Sequence, residues 1–195
     1  MVRGGDVEIS GDDVALFASD MHLGDHDRQT AAFFLGELAA AWPAASDVFL
    51  LGDLFEAWVG DDQPDAVARE AQDLFRRMTA GGCRLFAMRG NRDFLLDMPK
   101  GDFSARTGAV MLDDPCRVEL FGEPVVLAHA DALCSDDVAY QRVREQVRGE
   151  TWQAQFLARP LAERLAIARA HFVRRARAPG QGATRRAPPF RRAAG

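Results

Sequence analysis

CRLFAMRGNRDF, residues 83–94, passes from a mainly apolar run through Arg89 into Gly90-Asn91-Arg92-Asp93. The run from Cys83 to Met88 contains one charge, Arg84, and suits a strand buried on both faces. Gly90-Asn91 suits a turn, because both residues tolerate left-handed backbone angles. A turn alone does not explain why an amide, a guanidinium and a carboxylate follow in one row.

Two earlier stretches repeat the pattern. VALFAS (14–19) and DVFLL (47–51) are short apolar runs, and each also ends in polar residues. Between the runs lie helical stretches. DRQTAAFFLGELAAAW (27–42) stops at Pro43, and Pro64 opens a helix through DAVAREAQDLFRRMTA that Gly81-Gly82 closes. Strands alternating with helices of this length predict βαβ units and a layered α/β fold. After Lys100, AVML, CRVELF and PVVLAH are short strands separated by Asp-Asp-Pro and Gly-Glu-Pro turns, which suits a mixed sheet. From Asp136 to about Phe172 the chain is helical again, with breaks near Gly149 and Pro160. No internal repeat is present.

With 195 residues, the chain suits one domain with a real core. Its apolar fraction of 48% and charged fraction of 27% are those of an ordinary globular protein. No apolar run approaches the roughly 18 residues of a membrane span, and the start MVRGGDVEISGDD lacks an apolar signal core, so the expected compartment is the cytoplasm. Cys83, Cys116 and Cys134 have no C-x-x-C spacing, and Cys83 and Cys116 read as reduced core residues. The net charge of −5 hides an asymmetry: residues 174–195 carry seven arginines and no acid, so −5 − 7 leaves −12 for residues 1–173. An acidic body argues against general nucleic-acid binding. The organisation expected is therefore a domain over 1–173, with a helical insertion over 136–172, and a basic tail over 174–195 of disordered composition.

The strand ends carry the chemistry. The first gives Asp20 and His22, the second Asp53, the third Asn91, Arg92 and Asp93, and a later one His129 and Asp131. In open α/β sheets, ligands gather at the carboxyl ends of strands. Asp20 and His22 alternate, so both can face one side of an extended segment. A carboxylate with an imidazole suits a first-row divalent ion. Asp53 has two oxygens with which to bridge two ions, Asn91 offers a neutral oxygen, and His129 a second imidazole. Two ions about 3.5–4 Å apart clamp the attacking and leaving oxygens of a phosphoryl displacement. Taken singly, Asp20 reads better as a helix cap, His22 as a loop histidine, Gly52-Asp53 as a turn and His129 as a core residue. Five such residues at four strand ends read better as a metal site. His26 and His171 read as surface residues.

The strings SDMHLGD, LGDLFEAWVGDD, GNRDFLL and HADALCSDDVAYQ resemble the calcineurin-like metallophosphoesterases. Within them they look like the UDP-2,3-diacylglucosamine pyrophosphatases of lipid A biosynthesis. The resemblance covers roughly residues 14–172 and is specific, because several strings match in order. It implies a four-layer α/β/β/α sandwich with a helical cap and two Mn²⁺ ions. It also implies hydrolysis of UDP-2,3-diacylglucosamine to UMP and 2,3-diacylglucosamine 1-phosphate on the inner face of the bacterial inner membrane. By position it makes Asp20, His22, Asp53, Asn91 and His129 metal ligands. Asp53, Asn91, Arg92 and His129 become the catalytic set, and Asn91, Arg92, Asp137 and Tyr140 the substrate contacts. Arg92 also suits that role by its own chemistry, since a guanidinium fork matches phosphate oxygens. For Asp137 and Tyr140, a helix cap and a half-buried aromatic are equally good readings.

In the cap stretch, Trp152, Phe156, Leu157, Leu161, Leu165 and Ile167 form an apolar stripe beside Arg159, Arg164 and Arg169. Most such stripes pack on a core; the resemblance favours a lipid-holding cap at an anionic membrane surface. Two features depart from the family pattern. Its Gly-His-Thr-His motif and further strands are not found here, and Ala130 stands where Gly is usual. The tail composition reads as a GC-rich gene translated out of frame, with a genuine basic linker as the alternative. A truncated chain of impaired activity is therefore expected. Two other readings stay open: a metallophosphoesterase of other specificity, and a non-catalytic remnant.

Overall fold

The computed structural model describes residues 7–9, 13–98 and 100–177, apart from the side chains of 171–177. In chain order the elements are β1 (Glu8–Ile9), β2 (Ala15–Ala18), α1 (Arg28–Ala41), β3 (Asp47–Leu51), α2 (Ala66–Ala80), β4 (Arg84–Met88) and α3 (Asp102–Thr107). There follow β5 (Val110–Leu112), β6 (Cys116–Leu120), β7 (Glu123–Leu127), α4 (Val138–Val147), α5 (Glu150–Leu157) and α6 (Leu161–Arg177). β2, β3, β4 and β5 form a parallel sheet in that order. A second sheet has the order β1-β6-β7, with β1 parallel and β7 antiparallel to β6.

The apolar runs of β3 and β4 are continuous because both faces of the parallel sheet are covered. On one face Val48, Leu50, Leu85 and Ala87 pack with Val67, Ala71, Leu74, Phe75 and Met78 of α2 and Phe103 of α3. On the other, Phe49, Phe86 and Met88 meet Ile9, Val118, Leu120 and Leu127 of the second sheet. Each large side chain so buried contributes about 1.5–3 kcal/mol. The result is an α/β/β layering, a mixed α/β fold. The outer face of the second sheet leaves Arg117, Glu119, Pro124 and Val126 exposed, and the outer helical layer of the expected sandwich is not among the described residues.

The helix boundaries have local causes. Asp27 caps α1 by accepting Thr30 N–H at 3.0 Å, and Asp65 caps α2 by accepting Ala68 N–H at 2.8 Å. Gly149 and Pro160 divide the cap into α4, α5 and α6, as the sequence predicts. α6 runs to Arg177; residues 178–195, most of the expected basic tail, lie outside the described residues. Cys83 and Cys116 are buried and Cys134 is exposed.

The cap corrects one expectation. Arg164 is only 4% exposed and is held by Val59 O at 2.5 Å and by both oxygens of Asp62. It pins α6 to the 57–63 loop and does not face a membrane surface. Trp152, Phe156, Leu157, Leu161 and Leu165 pack on the helix-side core, the commoner fate of such a stripe.

The same loop holds a carboxylate at a cost. Asp61 Oδ1 accepts Trp58 Nε1–H at 2.9 Å, while Oδ2 is buried without a hydrogen bond. Burial, together with the charges of Asp102 and Asp97, raises the Asp61 carboxyl from 3.8 to about 6, against the opposing Trp58 bond. Because the folded value lies above the unfolded one, the native state binds more protons between them. Its contribution is complete below about pH 4 and is lost as pH rises through about 6. Asp61→Asn keeps an acceptor for Trp58. We expect it to be more stable than the natural chain at pH 7.5 by on the order of 1 kcal/mol, after allowance for partial solvent screening. The two should converge near pH 4. Urea midpoints at the two pH values measure this, and an equal difference at both would contradict it.

Candidate functional site

The polar strand ends converge at the carboxyl ends of the parallel strands. Behind β2 the chain continues alongside the segment behind β3: Asp20 N–H donates to Gly52 O at 3.1 Å, His22 N–H to Asp53 O at 3.0 Å and Leu23 N–H to Leu54 O at 2.8 Å. Asp20, His22 and Asp53 adopt left-handed φ values of 53°, 47° and 50°. Such backbone is uncommon outside glycine, and strain of this kind collects at functional sites.

The glycines are there for close approach. A Cβ on Gly90 would lie 2.1 Å from Asp53 Oδ1, and one on Gly52 would lie 2.5 Å from His129 Nδ1. Only hydrogen at those positions lets the three strand ends touch. Ala130 follows His129 with φ 69°, so the Ala that replaces the usual Gly takes the backbone a Gly would favour.

Asp20, His22 and Asp53 each bring a ligand atom to within 4.8 Å of the others. The Asp53 carboxylate faces two ways. Oδ2 lies 3.8 Å from His22 Nε2, while Oδ1 lies 3.5 Å from His129 Nε2 and accepts Arg92 N–H at 2.8 Å. His129 Nδ1 sits 3.1 Å from Leu51 O. His129 Nε2 lies 3.1 Å from Asn91 Oδ1. Asp53 Oδ1, Asn91 Oδ1 and His129 Nε2, each able to ligate a cation, thus meet at one place. The Asp20, His22 and Asp53 donor set suits a divalent ion. Of the five expected ligands, Asp20, His22 and Asp53 form one close group, while His129 lies by the other oxygen of Asp53 with Asn91 next to it. His26 lies in a 3₁₀ turn outside the group.

Asp93 answers the question raised by the opening stretch. It is fully buried, and Oδ2 accepts Leu54 N–H at 2.7 Å and Phe55 N–H at 3.3 Å, while Oδ1 accepts Gly90 N–H at 2.7 Å. Burial first, then the charge of Asp53, raise its carboxyl to about 6 against those three bonds. Asp93 clamps the loop after β3 to the loop after β4. Nothing in its sequence position distinguishes such a clamp from a ligand.

Arg92 sits at the rim. Its Nη1 donates to Glu56 Oε1 at 2.8 Å, and Glu56 Oε2 lies 3.1 Å from His22 Nδ1. Sequence reasoning passed over Glu56, although it lies three residues after Asp53 in the same strand end. Beyond Asn91 and Arg92 a largely apolar cleft opens, lined by Trp58, Phe94, Val143, Trp152, Phe156 and Ile167. Tyr140 and Arg144 also line it. Tyr140 O–H donates to Asp131 Oδ2 at 2.7 Å, which Arg144 Nε also reaches at 2.8 Å. Burial acts to raise the Asp131 carboxyl, but these bonds and the Arg148 charge prevail and hold it below its ordinary value. Asp137 caps α4 by accepting Tyr140 N–H at 2.9 Å. The helix-cap reading of Asp137 thus has a structural counterpart, while Tyr140 is half-buried and faces the cleft.

No protein-family model matches the chain. Curated relatives do. Over 153 residues, 78% of this chain, it is 46% identical to the UDP-2,3-diacylglucosamine hydrolase of Stenotrophomonas maltophilia, covering 60% of that protein. Over 153 residues it is 48% identical to the hydrolase of the same name from Chromobacterium violaceum, covering 63% of it. With that of Chromohalobacter salexigens the identity is 41% over 154 residues, 61% of that protein. The chain spans about 60% of the length of these relatives.

Proposed function

The chain belongs to the family of the UDP-2,3-diacylglucosamine hydrolases it matches, and on that premise we propose that it acts on the pyrophosphate of UDP-2,3-diacylglucosamine, releasing UMP and 2,3-diacylglucosamine 1-phosphate. The observation that carries this is the Asp53 carboxylate, with one oxygen turned to His22 and the other to His129, beside Arg92 and an apolar cleft. Asp20, His22 and Asp53 would hold one Mn²⁺, and Asp53, Asn91 and His129 a second. Bound there, the ions supply Lewis-acid polarisation of phosphoryl oxygens.

The chain's own residues do the rest. Arg92, its guanidinium set by Glu56, offers planar donors to the pyrophosphate oxygens. Asn91 stands beside Arg92 at the edge of the cleft against which the phosphates would lie. Phe94, Val143, Trp152 and Ile167 offer apolar surface to acyl chains and keep water from that side. Tyr140, in the first turn of α4, lines the cleft where the sugar or nucleotide would lie, and Asp137 caps that helix. A substrate with acyl chains resides in a bilayer, so the reading puts the chain peripherally on the inner membrane. Among the described residues no helix is long and apolar enough to cross one.

The test incubates the 195-residue chain with UDP-2,3-diacylglucosamine and Mn²⁺ and measures UMP, with Asp53→Asn as background. UMP above that background is expected. Cleavage of simple phosphodiesters without UMP release would indicate another specificity. Mn²⁺ binding without any cleavage would indicate a non-catalytic metal-binding chain.

A further inference from the structure

Glu56 touches both halves of the site and belongs to neither ligand set. Its Oε2 lies 3.1 Å from His22 Nδ1, and its Oε1 accepts Arg92 Nη1–H at 2.8 Å. His22 Nε2 is the nitrogen that faces Asp53 Oδ2, at 3.8 Å, so Glu56 stands on the opposite edge of the imidazole. The approach to Nδ1 is not aligned as a hydrogen bond, and that buried nitrogen has no hydrogen-bonding partner. Histidines that ligate metals through one nitrogen almost always give the other N–H to a carboxylate, a carbonyl or water, which fixes ring and tautomer. Glu56 is the carboxylate in place to do so. His22, Glu56 and Arg92 thus form one row of imidazole, carboxylate and guanidinium.

We propose that Glu56 is a positioning residue that couples the cation site to the phosphate-binding arm. One oxygen orients His22 toward the ion, and the other sets the Arg92 guanidinium over the cleft. The phosphate half of this inference rests on the function proposed above; the cation half needs only the His22 geometry. A surface ion pair with Arg92 would contribute little by itself. One carboxylate thus orients both a ligand and the anion-binding arm.

The test uses the 195-residue chain, Glu56→Ala, Glu56→Gln, Arg92→Ala and the Glu56→Ala/Arg92→Ala pair. Calorimetry with Mn²⁺ alone reads the first half. Glu56→Ala should weaken Mn²⁺ about 10- to 100-fold, the usual effect of losing a partner behind a metal ligand. Glu56→Gln should weaken it less, because an amide oxygen can still accept from Nδ1. Arg92→Ala should leave it within about twofold. Inorganic phosphate binding at saturating Mn²⁺ reads the second half. The effects of Glu56→Ala and Arg92→Ala should be strongly non-additive, because residues in one network couple. Unchanged Mn²⁺ affinity in Glu56→Ala, or additive effects on phosphate, would overturn the proposal. Should Glu56→Ala fail to fold, the near-isosteric Glu56→Gln carries both measurements. Weakened Mn²⁺ binding in a chain that releases no UMP would leave the role at His22 standing and remove the substrate reading instead.

Discussion

Asp53→Asn is expected to weaken Mn²⁺ binding by at least about a hundredfold, more than the loss of a partner behind a ligand. Asp53 is the one residue whose two oxygens face both donor sets, His22 on one side and His129 with Asn91 on the other. Removing its charge takes a carboxylate from each. Asp20→Asn, by contrast, touches only the first. The sets also differ in charge: the first has two carboxylates and an imidazole, the second only the shared carboxylate with a neutral amide and an imidazole. One Mn²⁺ should therefore bind appreciably tighter than any other, and Asp53→Asn should weaken both. Asn is preferred to Ala here because φ at this position is 50°, which Asn tolerates better. The measurement is thermal unfolding with and without Mn²⁺. An ion at 100 times its dissociation constant stabilises by about 2.7 kcal/mol, and that increment should vanish in Asp53→Asn. A variant that keeps it would show that the ion is held elsewhere.

The candidate metal centre was legible because ligand chemistry is written in residue types. Asp20, His22, Asp53, Asn91 and His129 stand at strand ends, and strand ends of a parallel sheet meet. Roles that depend on hydrogen-bond direction were not legible. Asp93 looks like a sixth strand-end ligand until its oxygens are seen to accept three backbone N–H groups. Glu56 looks like one more acid in an acidic loop. Arg164 reads as the basic flank of an apolar stripe, and only the packing of α6 on the 57–63 loop buries it. The same contrast holds in the fold. VFLL in β3 and LFAM in β4 announce burial on both faces, whereas the later runs did not reveal that β5 joins the parallel sheet while β6 and β7 build another. One signal was present: CRVEL alternates Cys116, Val118 and Leu120 inward with Arg117 and Glu119 outward, as a strand with one solvated face does. α3, six residues long with two buried, has no periodicity to read.

The second large effect concerns Asp93. Asp93→Ala removes the acceptor of Leu54, Phe55 and Gly90 N–H in a site where Asp93 itself is fully buried. A buried donor left without a partner costs about 1–3 kcal/mol. Three would cost more than most single substitutions, but two terms offset part of that. The wild-type carboxyl, raised to about 6 by burial and by Asp53, is itself held in the folded state at a cost at neutral pH. The vacated space also admits water to the orphaned amides. The net expected loss is about 3–5 kcal/mol, a large part of the roughly 5–15 kcal/mol that holds a domain folded. Asp93→Asn should lose nearly as much, because its NH₂ would face a backbone N–H. The loss should also be local in origin. Leu54 and Gly90 flank Asp53 and Asn91, so protection of the Leu54, Phe55 and Gly90 amides from hydrogen exchange should fall before that of β3 and β4. Urea midpoints and native-state exchange check the two parts. A loss under about 1 kcal/mol, with those amides still protected, would mean that the two loops hold their register without the carboxylate, and that the row of polar residues after β4 has another purpose.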